Sequence, residues 1–206
     1  MTAPLRVGGR VRVGGRATTI DGTQIVWSLA EGKRGSRWRE ALTRDGSLVR
    51  SVLFEASPAG RMTRLEVTTT AGLLTLHPDD RESTLHGNVV GPGGVRHLRL
   101  AWSPEHELLL LGSPATAATA LRRLGGAMAP GDERTVAMVR VDDTLEPREV
   151  SWVVARTGDT TWLLRATDGA EERRLTLHAD GFPVLGDAVS WPLEGGTVDE
   201  VWTEPS

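Results

Sequence analysis

The sequence predicts an all-β fold: a large curved antiparallel sheet or half-barrel, plugged by one helix at about 113–124. Three observations predict it. Short apolar segments recur about every 8–12 residues, with turn residues between them. The clearest of these alternate apolar and polar side chains, so one face is dry and the other wet. One segment only carries a complete set of helix signals.

Taken in order, Ile25-Val26-Trp27-Ser28-Leu29 is the first strand, stopped by Glu31-Gly32-Lys33-Arg34-Gly35. Arg37–Thr43 and Leu48–Phe54 flank Asp45-Gly46, a two-residue hairpin signal. Pro58-Ala59-Gly60 turns the chain into Met62–Thr68, where Leu65 and Val67 share one face. Leu74–His77, Thr84–Val90 and Val95–Trp102 follow, the last two joined by Gly91-Pro92-Gly93-Gly94. Leu108–Leu111 precedes the helix. There Ser113 is the cap, Pro114 the first helical residue, alanines fill the body, Arg122 and Arg123 close it, and Gly125-Gly126 ends it. Arg134–Val141, Arg148–Arg156, Thr161–Ala166, Arg173–His178 and Val184–Trp191 complete roughly a dozen strands, antiparallel by their short connections. Leu74-Thr75-Leu76-His77-Pro78-Asp79 returns as Leu175-Thr176-Leu177-His178-Ala179-Asp180. Two similar halves of a sheet or a chance match both explain the echo.

The 206 residues suit one domain. Residues 1–17 are expected as a flexible basic Gly/Arg tail, 18–193 as a single β domain, and 194–206 as a short acidic tail. Net charge is −3, but residues 1–50 are basic and the remainder acidic. The start of the chain carries no apolar signal-peptide region, and no apolar run approaches the length of a membrane span, so a cytoplasmic location is expected. The Arg-rich start has too few charges to predict nucleic-acid binding.

Composition excludes several chemistries. With no Cys there is no disulfide, thiolate-bound metal or thiol nucleophile, and with no Tyr there is no phenolic acid or base. No phosphate-binding Gly-Lys-Ser/Thr loop, dinucleotide fingerprint or Gly-x-Ser-x-Gly elbow occurs. His77 with Asp79, and His178 with Asp180, stand two apart at strand ends and read as turn residues. No metal site and no cofactor are expected, and the chain is read as a non-enzyme.

The tryptophans are the most informative residues. Seven Trp stand beside two Phe. Trp27, Trp38, Trp102, Trp152, Trp162 and Trp191 all fall on expected strands. Trp joins a large apolar body to one polar N–H, which suits a surface that is part dry and part wet.

Residues 107–192 carry a resemblance. The strand ending at Leu111-Gly112, the segment Ser113-Pro114-Ala115-Thr116-Ala117-Ala118-Thr119-Ala120-Leu121-Arg122-Arg123-Leu124, and Leu175-Thr176-Leu177-His178-Ala179-Asp180-Gly181-Phe182-Pro183-Val184 are similar to a bacterial glycolipid-binding family. With Trp27 and the Asp45-Gly46 hairpin included, the similarity covers roughly 20–192. Ala118 and Ala120-Leu121 depart from the family's Asn and second Pro, and Trp152, Trp162 and Trp191 stand where it carries Tyr. The resemblance implies a broad curved sheet, similar to that of lipoprotein carriers, and a glycolipid- or lipid-like ligand.

The expected function is therefore non-enzymatic binding of an amphiphile on a concave sheet. Trp27, Trp102, Trp152, Trp162 and Trp191 would take its apolar part. Arg99, Arg122, Arg123 and Arg148 would take its polar or anionic head. The alternative is a protein-interaction or homodimerising domain that uses the same face. A His/Asp enzyme is the third reading.

Overall fold

The computed structural model describes residues 5–7, 10–18, 22–169, 171–177, 181 and 183–186. Sheet one contains β1 (Leu5–Val7), β2 (Arg10–Thr18), β3 (Gln24–Gly32), β4 (Gly35–Arg44), β5 (Ser47–Ala56), β6 (Met62–Thr69), β7 (Gly72–Asp79), β8 (Thr84–Gly91) and β9 (Gly94–Ala101). Each strand pairs with the next in chain order, antiparallel throughout. Sheet two contains β10 (Glu107–Leu110), β11 (Glu133–Val141), β12 (Arg148–Arg156), β13 (Thr161–Ala166), β14 (Glu172–Leu177) and β15 (Pro183–Gly186). The single helix among the described residues, α1 (Pro114–Gly125), lies between β10 and β11.

The expected β fold with one helix is present, and the sheet-two strands curl into a half-barrel. At the β4–β5 turn Asp45 and Gly46 have φ of 51° and 75°. Both central residues of a tight hairpin need that left-handed backbone, and Asp-Gly tolerates it. Register then carries one inward row across sheet one: Trp27, Glu40, Val52, Val67, Leu74 and Val89 are successive partners. Apolar side chains of both sheets and α1 merge in one core.

The helix is internal. Ser113 caps it, accepting a hydrogen bond from the Thr116 amide, and residues 114–121 are all buried. A helix normally wets one face. This one is built of Ala and Thr, whose small side chains allow sheet backbone close on several sides.

The structure corrects the sequence reading in three places. The described strands form two sheets rather than one. The pair β10–β11 is parallel, which requires a crossover, and α1 supplies it. Residues 10–17 are expected in a flexible tail but, with Thr18, form β2, paired with β3. The glycines that suggested flexibility have a packing role: a Cβ on Gly15 would lie 2.7 Å from the Trp27 ring, so only glycine lets the indole cross β2. The first echoed segment lies in β7 and residues 175–177 of the second in β14, in different sheets, with Leu74, Leu76, Leu175 and Leu177 all inward. Residues 187–206, including the expected end of the last strand and the acidic tail, lie outside the described residues.

Candidate functional site

Both ends of α1 are held by buried acids. On β4, Glu40 alternates with Trp38 and Leu42 and therefore points into the core. Its Oε1 accepts the Ala115 amide at 2.7 Å and the Ser113 hydroxyl at 3.0 Å. A carboxyl at a helix N-terminus satisfies backbone donors that lack helical partners. Its other oxygen, Oε2, is buried without a partner. Burial pushes the Glu40 carboxyl up to about 7, against the opposing pull of the Ala115 amide, the Arg50 charge and the Ser113 hydroxyl.

Arg50, on β5, extends the same junction. It donates to the carbonyls of Leu111 at 2.7 Å and Gly112 at 2.8 Å, and to Asp143 at 2.8 Å. One side chain of sheet one thus ties the turn before α1 to the loop after β11. Its Nε is buried and unpartnered.

At the far end, Arg123 donates to Glu107 at 2.6 Å and to the Pro104 carbonyl at 3.1 Å. Burial also pushes Glu107 up to about 7, with the Arg123 charge opposing. Arg156 of β12 donates to the carbonyls of Gly125 and Met128 and lies 5.4 Å from the Trp162 ring centroid. Arg122 donates to Glu31 at 3.0 Å, joining α1 to β3. A cavity of about 10 Å³, the size of one water, is lined by Glu107, His106, Trp102 and Thr119. The Thr119 hydroxyl is buried there without a partner.

The expected ligand contacts are not gathered on one open face. Trp27, Trp102, Trp152 and Trp162 are at most 7% exposed and belong to the packed core, as does Trp38. Large apolar rings gain most by leaving water, and the two sheets close over these. A Trp-lined open groove is therefore corrected to a Trp-filled interior. Trp191 lies outside the described residues. Arg99 is on the outer side of sheet one, paired with Glu82 at 3.2 Å. Arg122 and Arg123 do meet at the C-terminal end of α1, while Arg148 is exposed at the start of β12.

Glu40, Arg50 and Glu107 were missed. Strand parity carried the signal for the first two, because it places each among inward apolar neighbours. On the outer face, ligand atoms of Asp79, Glu82 and His86 lie within 4.8 Å of one another. Arg99 donates to the same Glu82 carboxylate, so a cation already occupies that corner. His178 and Asp180 lie outside the described residues.

No family model matches the sequence, and no curated protein matches it. Two solved structures are similar in fold. One is a DUF1089 family protein from Pseudomonas aeruginosa, 16% identical, with a TM-score of 0.55 over 94% of this chain and 98% of that one. The other is a beta-barrel-like protein of domain of unknown function DUF1849 from Brucella abortus, 10% identical, with a TM-score of 0.50 over 94% and 97%. At these identities the likeness shows a shared curved β fold. Among the described residues no helix is long and apolar enough to cross a membrane.

Proposed function

We propose that this protein binds an amphiphilic, lipid- or glycolipid-like molecule between α1 and the inner faces of the sheets, without catalysing a reaction. One observation carries the reading. The indole N–H groups of Trp27, Trp38 and Trp152 are buried and have no acceptor. Most buried polar groups are paired, and an unpaired one costs about 1–3 kcal/mol. Three such donors in one apolar interior suit a ligand with a large apolar part and acceptor oxygens.

The plug supports the same reading. Its buried body is largely Ala115, Ala117, Ala118 and Ala120 with two threonines. Alanine contributes far less burial than leucine, so displacing α1 costs less than displacing a leucine-rich helix. An amphiphile entering there would replace that contact with its chain. The half-exposed Arg122–Glu31 pair at the helix end suits an anionic or glycosyl head, since such pairs exchange partners at little cost.

Native mass spectrometry of protein purified from its own host, followed by organic extraction, tests the reading. A co-purifying lipid supports it. Protein that carries none, and takes none from phosphatidylglycerol vesicles, sinks it. A second reading, self-association through the sheet, rests on Val90 and Val95, exposed partners at the β8–β9 end of sheet one. A concentration-independent dimer in light scattering would favour it.

A further inference from the structure

We propose that Glu40 is the latch of the plug: loss of its proton frees the N-terminal end of α1 from sheet one and admits the ligand, a regulation that rests on the amphiphile reading above.

The geometry singles out this residue. Glu40 joins β4 to the helix start, through the Ser113 hydroxyl and the Ala115 amide. Protonated, the carboxyl still accepts both bonds at Oε1 and carries no charge. Ionised, it places a full charge in the core with Oε2 unpartnered. Water satisfies that oxygen only if the helix end lifts.

The surroundings offset that charge only in part. From β5 the one facing charge is Arg50, already committed to two carbonyls and to Asp143. From β3 the directly opposed side chain is Trp27, and from β5 Val52. From α1 and its cap come Ser113 and the backbone amides. The other end of the helix has its own group, Glu107, facing Arg123 with Glu105 and His106 beside it.

The direction follows from proton counting. The closed form holds the Glu40 proton to about 7, against 4.5 for a free side chain. Between those values the closed form binds one more proton than the open form. The open fraction therefore rises about tenfold per pH unit in that window and levels off above it.

Hydrogen exchange of the amides of Ser113 and residues 115–121, corrected for intrinsic rates, reads this in the full chain with no ligand present. From pH 5 to pH 7 protection should fall by about tenfold per unit, then flatten. In Glu40→Gln, which keeps an acceptor and cannot ionise, the slope should shrink by about tenfold per unit. A variant slope equal to that of the wild type overturns the latch. Should the variant not fold, a flat wild-type profile from pH 5 to pH 8 overturns it. Phosphatidylglycerol vesicles are then added. Faster loading at pH 8 than at pH 5 supports admission through the latch, and equal loading overturns that step. A working latch with no loading at either pH overturns the binding reading and leaves the latch intact.

Discussion

The Glu40 carboxyl receives the Ala115 amide at 2.7 Å, so a side chain of the fourth strand completes the start of a helix 75 residues later. The contact is local chemistry, a carboxyl at a helix N-terminus, produced by long-range folding. It also makes the seating of α1 depend on a proton.

Stability should follow that proton. Burial raises both Glu40 and Glu107 from 4.5 to about 7. An acid whose value is higher in the folded state stabilises fully below its unfolded value and loses that contribution as pH rises through the folded value. Each carboxyl is then worth about 3 kcal/mol between pH 4.5 and pH 7. Urea denaturation should give a higher midpoint at pH 5 than at pH 8, and Glu40→Gln should narrow the difference.

Arg123→Ala removes the counter-charge of Glu107. The expected cost is about 3 kcal/mol at pH 8, where a charged carboxylate is left buried. At pH 5 Glu107 carries a proton and the cost should be smaller. Denaturation of the variant at the two pH values checks the sign.

Gly15→Ala should destabilise by about 1–3 kcal/mol, because its Cβ meets the Trp27 ring at 2.7 Å. In a Trp27→Leu background the same substitution should cost less. A double-mutant cycle of thermal unfolding measures the coupling.

These sites show where sequence reasoning reached and where it stopped. Hairpins, strand parity and the capped helix were legible because they depend on neighbouring residues, as at Asp45-Gly46 and Ser113-Pro114. The division into two sheets was not. Residues 107–110 are buried throughout, so β10 shows no alternation, and its parallel partner is reached only through α1. The Gly14-Gly15 pair read as flexible because the residue that needs it, Trp27, lies on another strand. Trp27, Trp38, Trp152 and Trp162 lie on strands as expected and Trp102 falls just past the end of β9, but their number suggested an open face. Their burial is decided by the second sheet, which one sequence does not reveal.

Trp152→Phe should be mild. It deletes a buried N–H that has no acceptor, so the lost ring area is offset by removal of an unpaired donor. We expect under about 1.5 kcal/mol by denaturation, against about 3–5 kcal/mol for Trp152→Ala. Weaker lipid retention in Trp152→Phe than its stability loss explains would identify that N–H as a ligand contact.

Fluorescence with brominated phospholipid is the most direct measurement of the central claim. In a Trp191→Phe/Trp202→Phe protein the remaining indoles are Trp27, Trp38, Trp102, Trp152 and Trp162, all buried. Bromine quenches an indole only at close range. An amphiphile held between α1 and the sheets should quench this emission strongly at pH 8, saturating at one ligand per chain. Emission unchanged by brominated lipid, at any loading, would contradict the account.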